Sequence, residues 1–133
     1  TQMCQIVKEF GILSKEHNGD YLTPEDIEVR FSNGLNAINI APEFGQIETL
    51  SYIKEMSNEQ LDIFYEMCLE SKRWEKWVSL DNIKSKTQLI TVCGHYVFSH
   101  NDFSSIKPNS ESIVRSNIKK RISQILEAID KSE

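Results

Sequence analysis

Apolar and polar positions change their spacing several times along the chain, and each change marks an expected element. Met3, Ile6, Val7 and Phe10 recur at three- and four-residue intervals, which puts them on one face of a helix spanning about Thr1 to Phe10. Gly11 stops that helix in the usual C-terminal way. Gly11 to His17 reads as a short buried strand with polar residues gathered at its end, and Asn18 to Tyr21 reads as a loop. Thr23-Pro24-Glu25-Asp26 is a helix start: Thr23 caps, Pro24 suits the first helical position, and Asp26 reaches back. Ile27 and Phe31 lie one turn apart on that helix, and Asn33-Gly34 closes it. Leu35 to Ala41 is a second strand candidate, and Pro42-Glu43 opens a helix to about Met56. Ser57 to Gln60 matches a capping box ahead of a stripe formed by Leu61, Phe64, Tyr65, Cys68 and Leu69. Thr87 to Ser99 has mixed periodicity and stays open between strand and helix. From Ile113 to Ile129 the spacing is that of a five-turn amphipathic helix.

Helix, strand, helix, strand, helix is the order that argues for parallel strands joined by crossovers. Two such strands do not make a stable parallel sheet alone, because these sheets are covered on both faces. The expectation is therefore an α/β fragment, entered inside a helix and completed by strands from elsewhere. The shift in composition near residue 57 divides it into residues 1–56, carrying the β/α units, and residues 57–133, a mostly helical extension.

Composition narrows the function classes. The 133 residues are 39% apolar and 26% charged, which suits one ordinary soluble domain. A net charge of −5 gives no electrostatic reason to expect nucleic acid, and the one basic run, Lys119-Lys120-Arg121, reads as a solvated helix face. No segment approaches the ~20 apolar residues of a membrane span, so no membrane is expected. Cys4, Cys68 and Cys93 are odd in number and widely spaced, which fits free thiols in a reducing, cytoplasmic setting.

Reactive groups of parallel α/β proteins collect at the carboxyl ends of strands. That rule selects Lys15, Glu16, His17 and the Asn18–Tyr21 loop, and then Asn39, Pro42 and Glu43. Imidazole, carboxylate and amide are the groups that metal and polyol sites use. Within this set Lys15 and Asn18 are candidates for contacting a substrate and Asp20 and Glu43 for catalysis, while Glu16 and Glu43 read equally as solvated or capping carboxylates and Asn39 as a bridge between backbone groups. Trp74 and Trp77, three residues apart, suit packing more than sugar stacking; His95 and His100, five apart, read as structural.

His17-Asn-Gly-Asp20-Tyr21, then Pro24-Glu-Asp-Ile27, then Gly34-Leu-Asn-Ala-Ile-Asn39-Ile-Ala-Pro-Glu43 resembles, in order and spacing, the end of class II sugar-bisphosphate aldolases. The pattern His17, Asp20, Tyr21, Thr23, Pro24, Glu25 is similar to the subfamily of the non-catalytic subunit of class II tagatose-bisphosphate aldolase. Trp74, Trp77 and Gly94-His95-Tyr96 loosely echo its aromatic C-terminal extension. The resemblance covers roughly residues 12 to 50. It implies the last two strands and helices of a TIM (β/α)8 barrel, followed by the helical extension. It implies aldol cleavage or condensation of a sugar phosphate with a divalent metal, usually zinc. His17 would then be a metal ligand and Asn39 a substrate contact, with the other ligands on preceding strands. It further implies a homo-oligomer or a partner aldolase subunit. Gly19-Asp20-Tyr21 and Pro42 depart from the family's phosphate-binding groups: a carboxylate repels phosphate, and proline offers neither N–H nor hydroxyl. The departures imply either a different substrate placement or a subunit that supports a catalytic partner. An α/β interaction domain with no site is the remaining class.

Overall fold

Seven helices and two very short strands make up the computed structural model, which describes residues 2–132. In chain order they are α1 (Gln2–Glu9), β1 (Lys15–Glu16), α2 (Pro24–Ser32), β2 (Ala37–Ile38), α3 (Pro42–Ile53), α4 (Asn58–Ser71), α5 (Lys86–Cys93), α6 (Phe103–Ile106) and α7 (Glu111–Asp130). Short 3-10 turns occupy Arg73–Lys76, Leu80–Asn82 and Gly94–Val97. No helix among the described residues is long and apolar enough to cross a membrane.

The barrel expectation is overturned: the chain is 66% helical and only 3% strand, a mostly helical protein and not a part of a TIM barrel. The two strands pair in parallel, Lys15 with Ala37 and Glu16 with Ile38, and extend no further. The reason lies at their entrance. Ser14 N–H donates to the Asn36 side-chain oxygen at 2.9 Å, and Asn36 N–H meets the Ser14 hydroxyl at 3.2 Å. Side chains thus take bonds that a longer ladder would need. Ile12 and Leu13, expected inside a strand, are 58% and 81% exposed, whereas a barrel strand is covered on both faces. Thr87 to Ser99, left open in the sequence, begins as α5 and continues into a 3-10 turn.

Helix ends follow their local chemistry closely. Thr23 and Asp26 form a reciprocal capping box, Asp26 N–H to Thr23 Oγ1 at 3.1 Å and Thr23 N–H to Asp26 Oδ2 at 3.2 Å. Ser57 and Gln60 repeat the device at α4. Gly11, at φ +65°, ends α1 with Gly11 N–H on Lys8 O and Ile12 N–H on Val7 O, the paired bonds of a Schellman motif.

Internal contacts divide the chain into two units: Thr1–Glu43 together with Lys119–Glu133, and Phe44–Ile118. In the first, the buried apolar side chains are Ile27, Leu35, Ile125 and Ala128. The second holds the larger core: Tyr52, Met56, Phe64, Met67, Cys68, Leu89, Ile90, Cys93, Val97, Phe103, Ile106 and Val114. Aromatic rings organise it, with Phe64 and Phe103 centroids 5.2 Å apart and Tyr52 edge-on to Phe98 at 5.5 Å. Trp74 packs against this core and donates its indole N–H to Leu69 O, while Trp77 stays 44% exposed.

A methyl group at Gly94 would lie 2.7 Å from Thr49 Cγ2 and 2.8 Å from Phe64 Cζ, inside a packed core. Gly94→Ala is expected to lower stability by about 1–3 kcal/mol through overpacking. Gly11→Ala, with nothing within 4 Å but a φ of +65°, is expected to lose about 1 kcal/mol through backbone strain. Urea unfolding of both variants checks the order.

Candidate functional site

The sequence candidates meet where β1 and β2 end. Asn39 N–H donates to Glu16 O at 3.0 Å and Gly19 N–H donates to Asn39 O at 2.8 Å, so the post-β1 loop is pinned to the exit of β2. The pinning brings His17 beside Asn39, with 3.3 Å between His17 Nδ1 and Asn39 Nδ2. Both side chains are exposed, as are Lys15 and Asn18, the latter in the left-handed region at φ 62°. The amide and the imidazole are within hydrogen-bonding reach, and which of them donates depends on the imidazole tautomer. His17 and Asn39 then present hydrogen-bond groups outward as a pair.

The two carboxylates are engaged inward. Asp20 Oδ1 accepts the backbone N–H of Ala41 at 3.0 Å and of Glu43 at 2.9 Å, flanking Pro42, which has no N–H to offer. It thereby caps α3 and puts negative charge at the positive end of the helix dipole. Glu43, 6% exposed, accepts the Tyr21 N–H at 2.9 Å and an Arg121 Nε–H at 2.6 Å. Arg121 also donates to Leu22 O at 2.7 Å, closing the ring of contacts around the loop. Glu16 is held by Arg30 Nε at 3.1 Å.

Arg121 is the participant that sequence reasoning missed. Its neighbours in the basic run, Lys119 and Lys120, are exposed as a solvated face requires. The Arg121 side chain is only 12% exposed. A signal was present: Arg121 falls in register with Val114, Ile118, Ile125 and Ala128, the apolar stripe of α7.

A zinc ion held through His17 Nε2 needs that nitrogen unprotonated and Nδ1–H donating to a neighbour. Here the Asn39 amide faces Nδ1, Asp20 Oδ1 is bonded to the backbone of α3, and Glu43 is bonded to Arg121. Among the described residues no three His, Cys, Asp or Glu side chains cluster to hold a metal. Around His17 the described residues therefore supply no second and third ligand of these types.

His95, in the second unit, has a different constraint. Its Nδ1 is buried with no hydrogen-bond partner among the described residues, and its ring lies against Tyr96 at 4.1 Å between centroids. Burial depresses its pKa, partly offset by Glu48.

No protein-family model, no curated protein and no solved structure matches this chain.

Breaking the Glu43–Arg121 pair leaves a buried charge unpaired, so Glu43→Gln and Arg121→Leu are each expected to cost about 3–5 kcal/mol. The double variant should cost clearly less than the sum, as a double-mutant cycle in urea measures. For His95, the unfolded state takes up the proton at the ordinary value near ~6.5 and the folded state only at lower pH. The unfolded state therefore binds more protons between these values, and stability falls as pH drops through that window. Thermal unfolding between pH 7 and pH 5 should show the fall, and His95→Phe should reduce it.

Proposed function

We propose that the chain is a supporting, non-catalytic component of a class II aldolase-type sugar-phosphate system. The reading keeps the motif His17, Asp20, Tyr21, Thr23, Pro24, Glu25 and drops the barrel. One observation carries it: the polar positions of that motif hold the backbone together. Asp20 caps α3, the Tyr21 N–H binds Glu43, and Thr23 and Pro24 start α2. A carboxylate that accepts two backbone N–H bonds, or one locked to a guanidinium, is poorly placed to shuttle protons. What faces outward is the His17–Asn39 pair with Asn18 and Lys15, a set suited to hydrogen bonding with a polyol or with a partner's polar loop.

In this reading the partner is a catalytic aldolase subunit and the zinc belongs to that subunit. The three free thiols suit a reducing cytoplasm. The second reading that the resemblance implies, in which this chain cleaves the sugar phosphate itself with His17 on zinc, differs in what is measured.

The test is an aldol-cleavage assay of a zinc-dependent tagatose-bisphosphate aldolase subunit with and without the purified chain, alongside metal analysis of the chain. A rise in the subunit's specific activity or thermal half-life, with no cleavage by the chain alone, is the expected outcome. His17→Ala with Asn39→Ala should remove the effect. Cleavage by the chain alone with about one zinc per chain, lost in His17→Ala, would transfer the assignment to catalysis. No effect and no cleavage would sink the aldolase reading altogether.

A further inference from the structure

At the end of α4 the chain turns sharply and gathers positive charge in one place. Lys72 takes the left-handed conformation, φ 54° and ψ 11°, and the 3-10 turn Arg73–Lys76 follows directly. The turn is fastened from behind: the Ser71 hydroxyl donates to Cys68 O at 2.7 Å and accepts the Arg73 N–H at 3.2 Å. Trp74 anchors it from the same side through its indole N–H on Leu69 O. Lys72, Arg73 and Lys76 therefore do not spread along a helix face. They line one cleft of about 270 Å³, with Glu75 and Tyr96 completing its wall.

Three features of this cleft bear on what it can hold. Its four charges sum to +2 in a chain whose net charge is −5. None of Lys72, Arg73 and Lys76 is ion-paired among the described residues, so none of the three charges is neutralised within the chain. Two of the cations rest on aromatic rings, which limits their rotamers: Arg73 lies 6.0 Å from the Tyr96 centroid and Lys76 5.3 Å from that of Trp77. Like charges held close together repel, and a dianion placed among them removes the repulsion.

We propose that this cleft binds the phosphomonoester of a small molecule. The guanidinium of Arg73 supplies the forked donor that matches phosphate oxygens, and Lys72 and Lys76 supply point charges beside it. A phosphomonoester carries close to two negative charges at neutral pH, equal and opposite to the cleft, where a carboxylate carries one. The volume falls just under the usual range of ligand sites, so it suits a phosphate with a few attached carbons better than a nucleotide. Tyr96, 38% exposed, offers an aromatic wall to those carbons. This site lies in the unit Phe44–Ile118 and does not rest on the role proposed for His17 and Asn39.

The experiment is an amide NMR titration of the full chain, first with inorganic phosphate and then with glycerol 3-phosphate, at constant ionic strength held with sodium chloride. Saturable shifts confined to residues around Lys72–Lys76 and Tyr96 are expected, with glycerol 3-phosphate binding the tighter of the two. Arg73→Gln should weaken both by about tenfold, the loss of one charged hydrogen-bonding group. Lys84→Gln, a cation outside the cleft, should leave both unchanged, and spectra of each variant away from the cleft report that it is folded. Shifts that stay linear in phosphate, or affinities equal in Arg73→Gln and the parent, would overturn the site. Equal affinity for the two probes would overturn the assignment to an organic phosphomonoester and leave a plain anion site.

Discussion

The buried carboxylate of Glu43 is the constraint on which the first unit depends. It receives the Tyr21 N–H from the loop after β1 and the guanidinium of Arg121 from α7, and it sits in the first turn of α3. Three segments far apart in sequence are thus tied at one side chain. A buried ion pair is a risky way to do this, because desolvating both charges costs about as much as their attraction returns unless every remaining lone pair and proton is satisfied. That condition is largely met here: Glu43 Oε2 takes both the Tyr21 N–H and a second Arg121 contact at 3.3 Å, and Arg121 spends a further N–H on Leu22 O. An apolar pair of the same volume could be as stable, but it could not also hold a backbone N–H and a backbone carbonyl. The pair specifies where the loop goes, and the loop carries His17 and Asn18.

Asp20 extends the same logic. With Pro42 at the first position of α3, one backbone donor is absent, and the N–H groups on either side converge on a single oxygen of Asp20. Asp20 and Glu43, neighbours of the same loop, thus tie that loop to the start of α3 and to α7. The pairing of His17 with Asn39 has a backbone cause of its own, since Gly19 N–H on Asn39 O holds the loop against the end of β2.

Local chemistry was the legible part of the sequence. Thr23 with Asp26, Ser57 with Gln60, and Gly11 were all readable as helix ends because a cap is a contact between residues three to five apart. The strands were over-read for a matching reason. Leu35 to Ala41 has the composition of a strand, but strand length depends on what the partner offers. The Ser14–Asn36 side-chain bonds, between residues 22 apart, truncate the ladder at its entrance. Apolar composition also said nothing about cover, and Ile12 and Leu13 remain exposed. The barrel inference failed at that step, by assigning two short apolar runs a sheet to belong to.

Arg121 shows how a charge can be misread in the opposite direction. Sequence adjacency grouped it with Lys119 and Lys120, yet a helix separates neighbours by about 100° and aligns residues three and four apart. By that rule Arg121 belongs with Val114, Ile118, Ile125 and Ala128, and a cation inside an apolar stripe demands a buried anion. Chain positions alone could have raised the demand; they could not have named Glu43, 78 residues away, as the answer. The same reasoning separates the two kinds of cation in this protein. Arg121 has a carboxylate of its own and is spent on structure. Arg73, resting on Tyr96 with no carboxylate paired to it among the described residues, keeps its donors for something that the chain does not itself supply.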